Sequence, residues 1–111
     1  MENSNLTNDY TNKNKALTTD TNIIFSKDLP AGTYLIVGEA QLMDTSVGRY
    51  DLYVEGNGTS IGDTFPNNYS YPCACVMLVL SFTEQKTIQL KIWQTTTSTL
   101  NNARLLTLRL K

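Results

Sequence analysis

Cys73-Ala-Cys-Val-Met-Leu-Val-Leu-Ser-Phe82 carries no charge, and both of its alternating faces are apolar. Successive side chains of an extended chain point to opposite sides. Cys73, Cys75, Met77 and Val79 therefore share one face, and Ala74, Val76, Leu78, Leu80 and Phe82 share the other. The run is far shorter than the roughly 20 residues of a membrane-spanning helix, and it follows Pro72, so it reads as a strand. A strand that is apolar on both sides belongs where water reaches neither. In an antiparallel sandwich one face meets the core, and the other needs a second surface to cover it.

Working outward, the neighbouring segments supply the rest of such a sandwich. Residues 33–43 put Tyr34, Ile36, Ala40 and Leu42 on one side and Thr33, Leu35, Val37, Glu39 and Gln41 on the other. They follow the turn Lys27-Asp-Leu-Pro-Ala-Gly32, in which Pro30 fixes φ and Gly32 permits a positive one. A first strand is expected over 17–25, broken near Asp20. Tyr50, Leu52 and Val54 alternate with Asp51, Tyr53 and Glu55, and Asn57-Gly58 then suits a tight reversal. Residues 61–72, with Pro66, Pro72, Asn67, Asn68 and three aromatic groups, read as a loop. Residues 87–95 place Ile88, Leu90 and Ile92 inside and Gln89, Lys91 and Trp93 outside; residues 95–102 read as a polar loop. The last strand, 103–111, is expected to turn Leu106, Leu108 and Leu110 inward and Leu105 and Thr107 outward. No helical period of useful length appears. The pattern predicts an all-β protein, an antiparallel β-sandwich of jelly-roll type over residues 16–111. Residues 1–15, mostly Asn, Thr, Ser and charged groups, read as a flexible polar arm.

Composition excludes several kinds of chemistry. The chain has 111 residues, which fits one domain, with a formal charge of -1 and scattered basic residues that create no field for nucleic acid. It contains no histidine, so neither a serine nor a cysteine triad can be assembled, and a zinc site lacks ligands. Cys73 and Cys75 lie about 6.6 Å apart along a strand, which disfavours a bridge between them, and they read as two reduced thiols shielded from water. Glu39, Asp44, Asp51, Glu55 and Asp63 are the acids that a two-carboxylate hydrolase would draw on, yet no spacing singles out a pair. The expectation is a protein that is not an enzyme, with no catalytic residue, metal or cofactor. The N-terminal residues lack the apolar stretch of a signal peptide, and no segment is suited to membrane insertion.

Three stretches carry a resemblance: Leu29-Pro-Ala-Gly-Thr-Tyr-Leu-Ile-Val37, Thr87-Ile-Gln-Leu-Lys-Ile-Trp-Gln94 and Ala103-Arg-Leu-Leu-Thr-Leu-Arg-Leu110. Together they make most of residues 23–111 similar to the trimeric jelly rolls of the tumour-necrosis-factor and complement-globular-head superfamily. The small forms in bacteriophage fibres and receptor-binding proteins fit the length best. The resemblance implies a homotrimer with one sheet of each protomer packed around a threefold axis and loops exposed at one end. It implies a virion location, at a fibre tip or decorating a capsid, with a cell-surface saccharide or another virion protein as partner. The interface residues expected on this basis are Cys73, Cys75, Met77, Val79 and Leu105. For a sugar, aromatic rings beside amides point to Asn67, Asn68, Tyr69, Tyr71 and Trp93, although capping the core or lining the trimer is the commoner use of such rings. A monomeric carbohydrate-binding or adhesin-like β-sandwich is the alternative.

Overall fold

Alternation between core and surface is most regular in the two segments where the sequence alternates most clearly. In the computed structural model, which describes residues 5–111, these are β4 (Gly32–Leu42) and β5 (Tyr50–Gly56). Tyr34, Ile36, Ala40 and Leu42 are buried in β4, as are Tyr50, Leu52 and Val54 in β5. The remaining strands are β1 (Leu6–Thr11), β2 (Lys15–Leu17), β3 (Asp20–Leu29), β6 (Thr59–Thr64), β7 (Cys73–Phe82), β8 (Lys86–Gln94) and β9 (Ser98–Arg109). One sheet has the order β1, β9, β4, β7, with β2 also on β9; the other has the order β3, β8, β5, β6. Every pairing is antiparallel. Among the described residues there is no helix, hence none long and apolar enough to cross a membrane. The protein is an all-β jelly-roll sandwich.

The inner faces of the two sheets form one core, and Gly38 sets how closely they approach. A Cβ at Gly38 would lie 2.6 Å from Leu90 Cδ1 and 3.0 Å from Val54 Cγ2, both on the opposite sheet. Gly38→Val is therefore expected to destabilise the fold by about 1–3 kcal/mol through overpacking. The check is the urea midpoint at fixed protein concentration, and an unchanged midpoint would mean that the sheets can part at that point.

The expected break near Asp20 is the passage from one sheet to the other. Asp20 has a φ of 69°, in the left-handed region that Asp and Asn tolerate better than most residues. Buried Gln94 fixes this crossing: its Nε2 donates to the Thr18 carbonyl at 2.9 Å, and its Oε1 accepts from Ser98 Oγ at 2.7 Å. The reversal at Asn57 and Gly58, with φ of 50° and 75°, joins β5 to β6 as the sequence suggests.

Several expectations are corrected, among them the polar loop over 95–102, which is strand from Ser98 onward because Lys15–Leu17 pairs with it. Over Leu6–Thr11 the polar arm is an edge strand, in register from Leu6 opposite Leu108 to Thr11 opposite Ala103. Backbone pairing orders it, helped by the Thr7 and Thr107 hydroxyls in contact and by Lys27 Nζ 3.2 Å from the Asp9 carboxylate; residues 1–4 of that arm lie outside the described residues. The segment read as a loop from residue 61 is strand through Thr64, because the tight turn continues the pairing although no apolar face drives it. In the last strand the faces are exchanged. Against β4 the register shifts between Gln41, opposite Asn102, and Leu42, opposite Leu100, leaving Asn101 as the extra residue of a bulge. Leu100, Ala103, Leu105 and Thr107 therefore point inward, while Leu106 and Leu108 point outward and Leu110 is exposed. Leu105, 0% exposed, is a core residue and not an interface residue.

Candidate assembly interface

Register on the first sheet places outward side chains in rows across its strands. Leu6, Leu108, Leu35 and Val79 form one row, and Asn8, Leu106, Val37 and Met77 form the next. These positions alternate with core residues in β4, β7 and β9 and with partly buried ones in β1, so their side chains stand on the outer face. Met77 is 65% exposed and Val79 57%. Leu35, Val37, Leu106 and Leu108 are half-buried by their neighbours alone. The result is a continuous apolar patch of seven side chains, larger in kind than the scattered surface leucines of an ordinary monomer.

A polar border closes one side of the patch. The next row is Tyr10, Arg104, Glu39 and Cys75, in which the Arg104 guanidinium lies 3.2 Å from the Glu39 carboxylate and 5.5 Å from the Tyr10 ring centroid. Beyond it, Gln41 Oε1 accepts from Asn101 Nδ2 at 2.7 Å and from Asn102 Nδ2 at 3.1 Å. On the other side, Thr33 and Ser81 hydroxyls meet at 2.9 Å. An apolar centre within a hydrogen-bonded rim is how protein interfaces are built.

Of the five interface residues expected from sequence, Cys73, Cys75, Met77 and Val79 all lie on this outer face, exposed. The thiols are thus at the surface of the single chain, where the apolar run of the sequence predicts them shielded. Leu6, Leu35, Val37, Leu106 and Leu108 are additions to that set. Leu35 and Val37 are legible in the sequence as outward residues; nothing in it marks Leu6 as paired.

β7 is also the margin of its sheet. Its even-numbered residues bond to β4, so the backbone groups of Cys75, Met77, Val79 and Ser81 point off the edge. Side chains occupy the two ends of this stretch. The Cys75 N–H donates to Asp63 Oδ2 at 3.1 Å, and Asn57 Nδ2 donates to the Ser81 carbonyl at 3.3 Å.

Partial burial, followed by the negative charges of Glu39 and Asp63, raises the Cys75 thiol above its ordinary value. In a Cys73→Ser chain, alkylation of Cys75 by iodoacetamide is expected to accelerate only at pH values more alkaline than a free thiol requires. Glu39→Gln combined with Asp63→Asn should move that profile back toward neutrality. A profile in the parent chain no more alkaline than that of free cysteine would contradict this assignment.

The sugar-binding residues expected from sequence fall on two surfaces. Asn67, Asn68, Tyr69 and Tyr71 lie exposed in the loop between β6 and β7. That loop is strapped to the chain after β4: Tyr71 N–H donates to the Met43 carbonyl at 2.8 Å, and Thr45 Oγ1 donates to the Pro66 carbonyl at 2.6 Å. Trp93 stands on the outer face of the second sheet, in a recess to which none of the four loop residues contributes. Among the acids, Glu39 and Asp63 flank Cys75, Asp51 pairs with Arg49, and Glu55 pairs with Lys91. Among the described residues no group of three or more Cys, Asp or Glu side chains is placed to hold a metal ion.

No protein-family model and no curated protein matches the chain in sequence. Solved structures do match in fold. The globular domain of zebrafish complement 1qA protein superimposes with a TM-score of 0.50 at 12% identity, over 74% of this chain and 64% of that one. The VP2 subviral particle of infectious bursal disease virus gives 0.61 at 14% identity, over 94% of this chain and 32% of VP2. A protein of the Bacillus endospore appendages, which are disulfide-linked pili, gives 0.54 at 12% identity, over 100% of this chain and 96% of that one. The chain thus spans just under two thirds of the complement domain and about a third of VP2. At such identities the likeness establishes the jelly-roll fold.

Proposed function

We propose that the chain is a non-catalytic structural and binding module of an assembled particle, acting as a homotrimer whose protomers pack the outer face of the β1, β9, β4, β7 sheet around a threefold axis. The observation that carries this reading is the pair of apolar rows on that face, bordered by Tyr10, Arg104 and Glu39. A solitary carbohydrate-binding sandwich would leave those rows in water, which is the reason to prefer assembly. The particle envisaged is a bacteriophage virion, with the module at a fibre tip or on a capsid and a host-surface saccharide or another virion protein as its partner. The fold shared with a complement globular domain and a viral particle protein supports this setting. Native mass spectrometry tests the reading: a trimer is the expected species, and a stable monomer in dilute solution overturns it.

A further inference from the structure

The second sheet carries its own feature, on the opposite side of the sandwich from the apolar rows. It is a shallow recess of about 390 Å³, walled by Tyr53 and Trp93 and rimmed by Arg49, Asp51, Ser60, Asp63 and Thr64. Strand register sets Asp51 between Trp93 and Thr64, and Tyr53 between Lys91 and Gly62, so the two rings stand at diagonal positions on one face. Lys91 Nζ lies 5.9 Å from the Tyr53 ring centroid and 3.1 Å from the Glu55 carboxylate, which fixes the ring on that side. On the other side Gly62 offers no side chain. A Cβ there would crowd the Leu52 carbonyl at 3.0 Å and Tyr53 Cβ at 3.2 Å, so the tyrosine is left bare toward the recess.

The rim is organised in advance. Arg49 Nε donates to Asp51 Oδ2 and Thr64 Oγ1 donates to Asp51 Oδ1, each at 2.9 Å. Each carboxylate oxygen retains capacity for a further donor. Of the charged side chains that line the recess, Arg49 pairs with Asp51, and Asp63 already accepts from the Cys75 and Thr64 N–H groups, so the site selects strongly for neither an ammonium ligand nor an anion. A neutral molecule with one apolar flat and a hydroxyl-bearing edge meets all of these groups, and a pyranose ring has that form.

We propose that the recess at Tyr53, Gly62 and Trp93 is a saccharide-binding site, in which the C–H face of a sugar ring lies against the two aromatics and its hydroxyls donate to Asp51. The site does not depend on the trimer, since it lies on the other sheet. Trp93 is the single tryptophan of the chain, so its fluorescence reads the recess in the intact protein. Titration with cellotetraose, chitotetraose, maltotetraose and mannotetraose is expected to give a saturable emission shift, at millimolar affinity, with at least one of them. Saturation-transfer NMR on the same mixtures detects binding that leaves emission unchanged. Tyr53→Ala is expected to weaken binding about tenfold. Gly62→Val should abolish it, with circular dichroism checking the fold; should that variant not fold, Tyr53→Ala alone decides. Neither an emission nor a saturation-transfer signal at tens of millimolar sugar, or a signal that Tyr53→Ala leaves intact, overturns the proposal. A response to choline in place of the sugars overturns it as well.

Discussion

In the proposed homotrimer, Met77→Asp is expected to leave a folded monomer. In the single chain Met77 is 65% exposed, so the new carboxylate stays hydrated and fold stability should change by no more than about 0.5 kcal/mol. Packing the sheet face against another copy strips that water away. An unpaired charge in such a place costs roughly 3–5 kcal/mol, enough to raise the dissociation constant by two orders of magnitude or more. Size-exclusion chromatography with light scattering reads the change in mass, and circular dichroism confirms the retained fold. Met77→Leu, which keeps the apolar surface, should preserve the oligomer. An oligomer unaltered by Met77→Asp would show that the face is wet, and the packing scheme would fail.

The second large effect separates two adjacent leucines of β9. Leu105 is fully buried between the sheets, so Leu105→Ala should cost about 2–5 kcal/mol, the lost transfer energy plus the cavity left behind. Leu106 stands in the outward row beside Val37, so Leu106→Ala should leave the fold nearly unchanged and loosen the assembly. Urea unfolding in the Met77→Asp background isolates the first effect, because the stability of an oligomer depends on its concentration. Equal losses for the two substitutions would contradict the inward register of Leu105.

Those two leucines also mark where the sequence stops being readable. In β4, β5 and β8, polar residues at one parity, such as Glu39 and Gln41, Asp51 and Glu55, and Gln89 and Lys91, fix the register of faces, so the inward apolar residues follow from the pattern of residue types. The stretch Leu105-Leu106-Thr107-Leu108 is apolar at both parities, and three leucines outvote a threonine. The true choice depends on the bulge at Asn101 and on the Thr107 hydroxyl, which meets Thr7 from a strand with almost no hydrophobic signal. β6 escapes periodicity for a similar reason: its pairing is inherited from the turn at Asn57 and Gly58.

The candidate site is legible in part for the same physical reason. Four residues of β7 can be placed on an outer face because a charge-free strand of known period has only two sides. Their neighbours in the patch, Leu6, Leu106 and Leu108, come from strands far away in sequence, and no local pattern states which strand lies beside which. Chemical type alone groups Trp93 with Tyr69 and Tyr71. The second sheet instead sets it across from Asp51 and diagonal to Tyr53, a partnership that only strand order reveals.

Asp63 and Asn57 plug the two ends of the unpaired side of β7. Between the plugs, the Cys75 carbonyl, both backbone groups of Met77 and of Val79, and the Ser81 N–H point off the edge toward an incoming chain. A strand that is uncharged, free of proline and rich in branched residues is the usual seed of amyloid-like growth. Here a side chain occupies each end of the stretch, which shortens the edge open to stacking. Removing both plugs, by Asp63→Ala with Asn57→Ala, would turn a guarded margin into a template for fibrils.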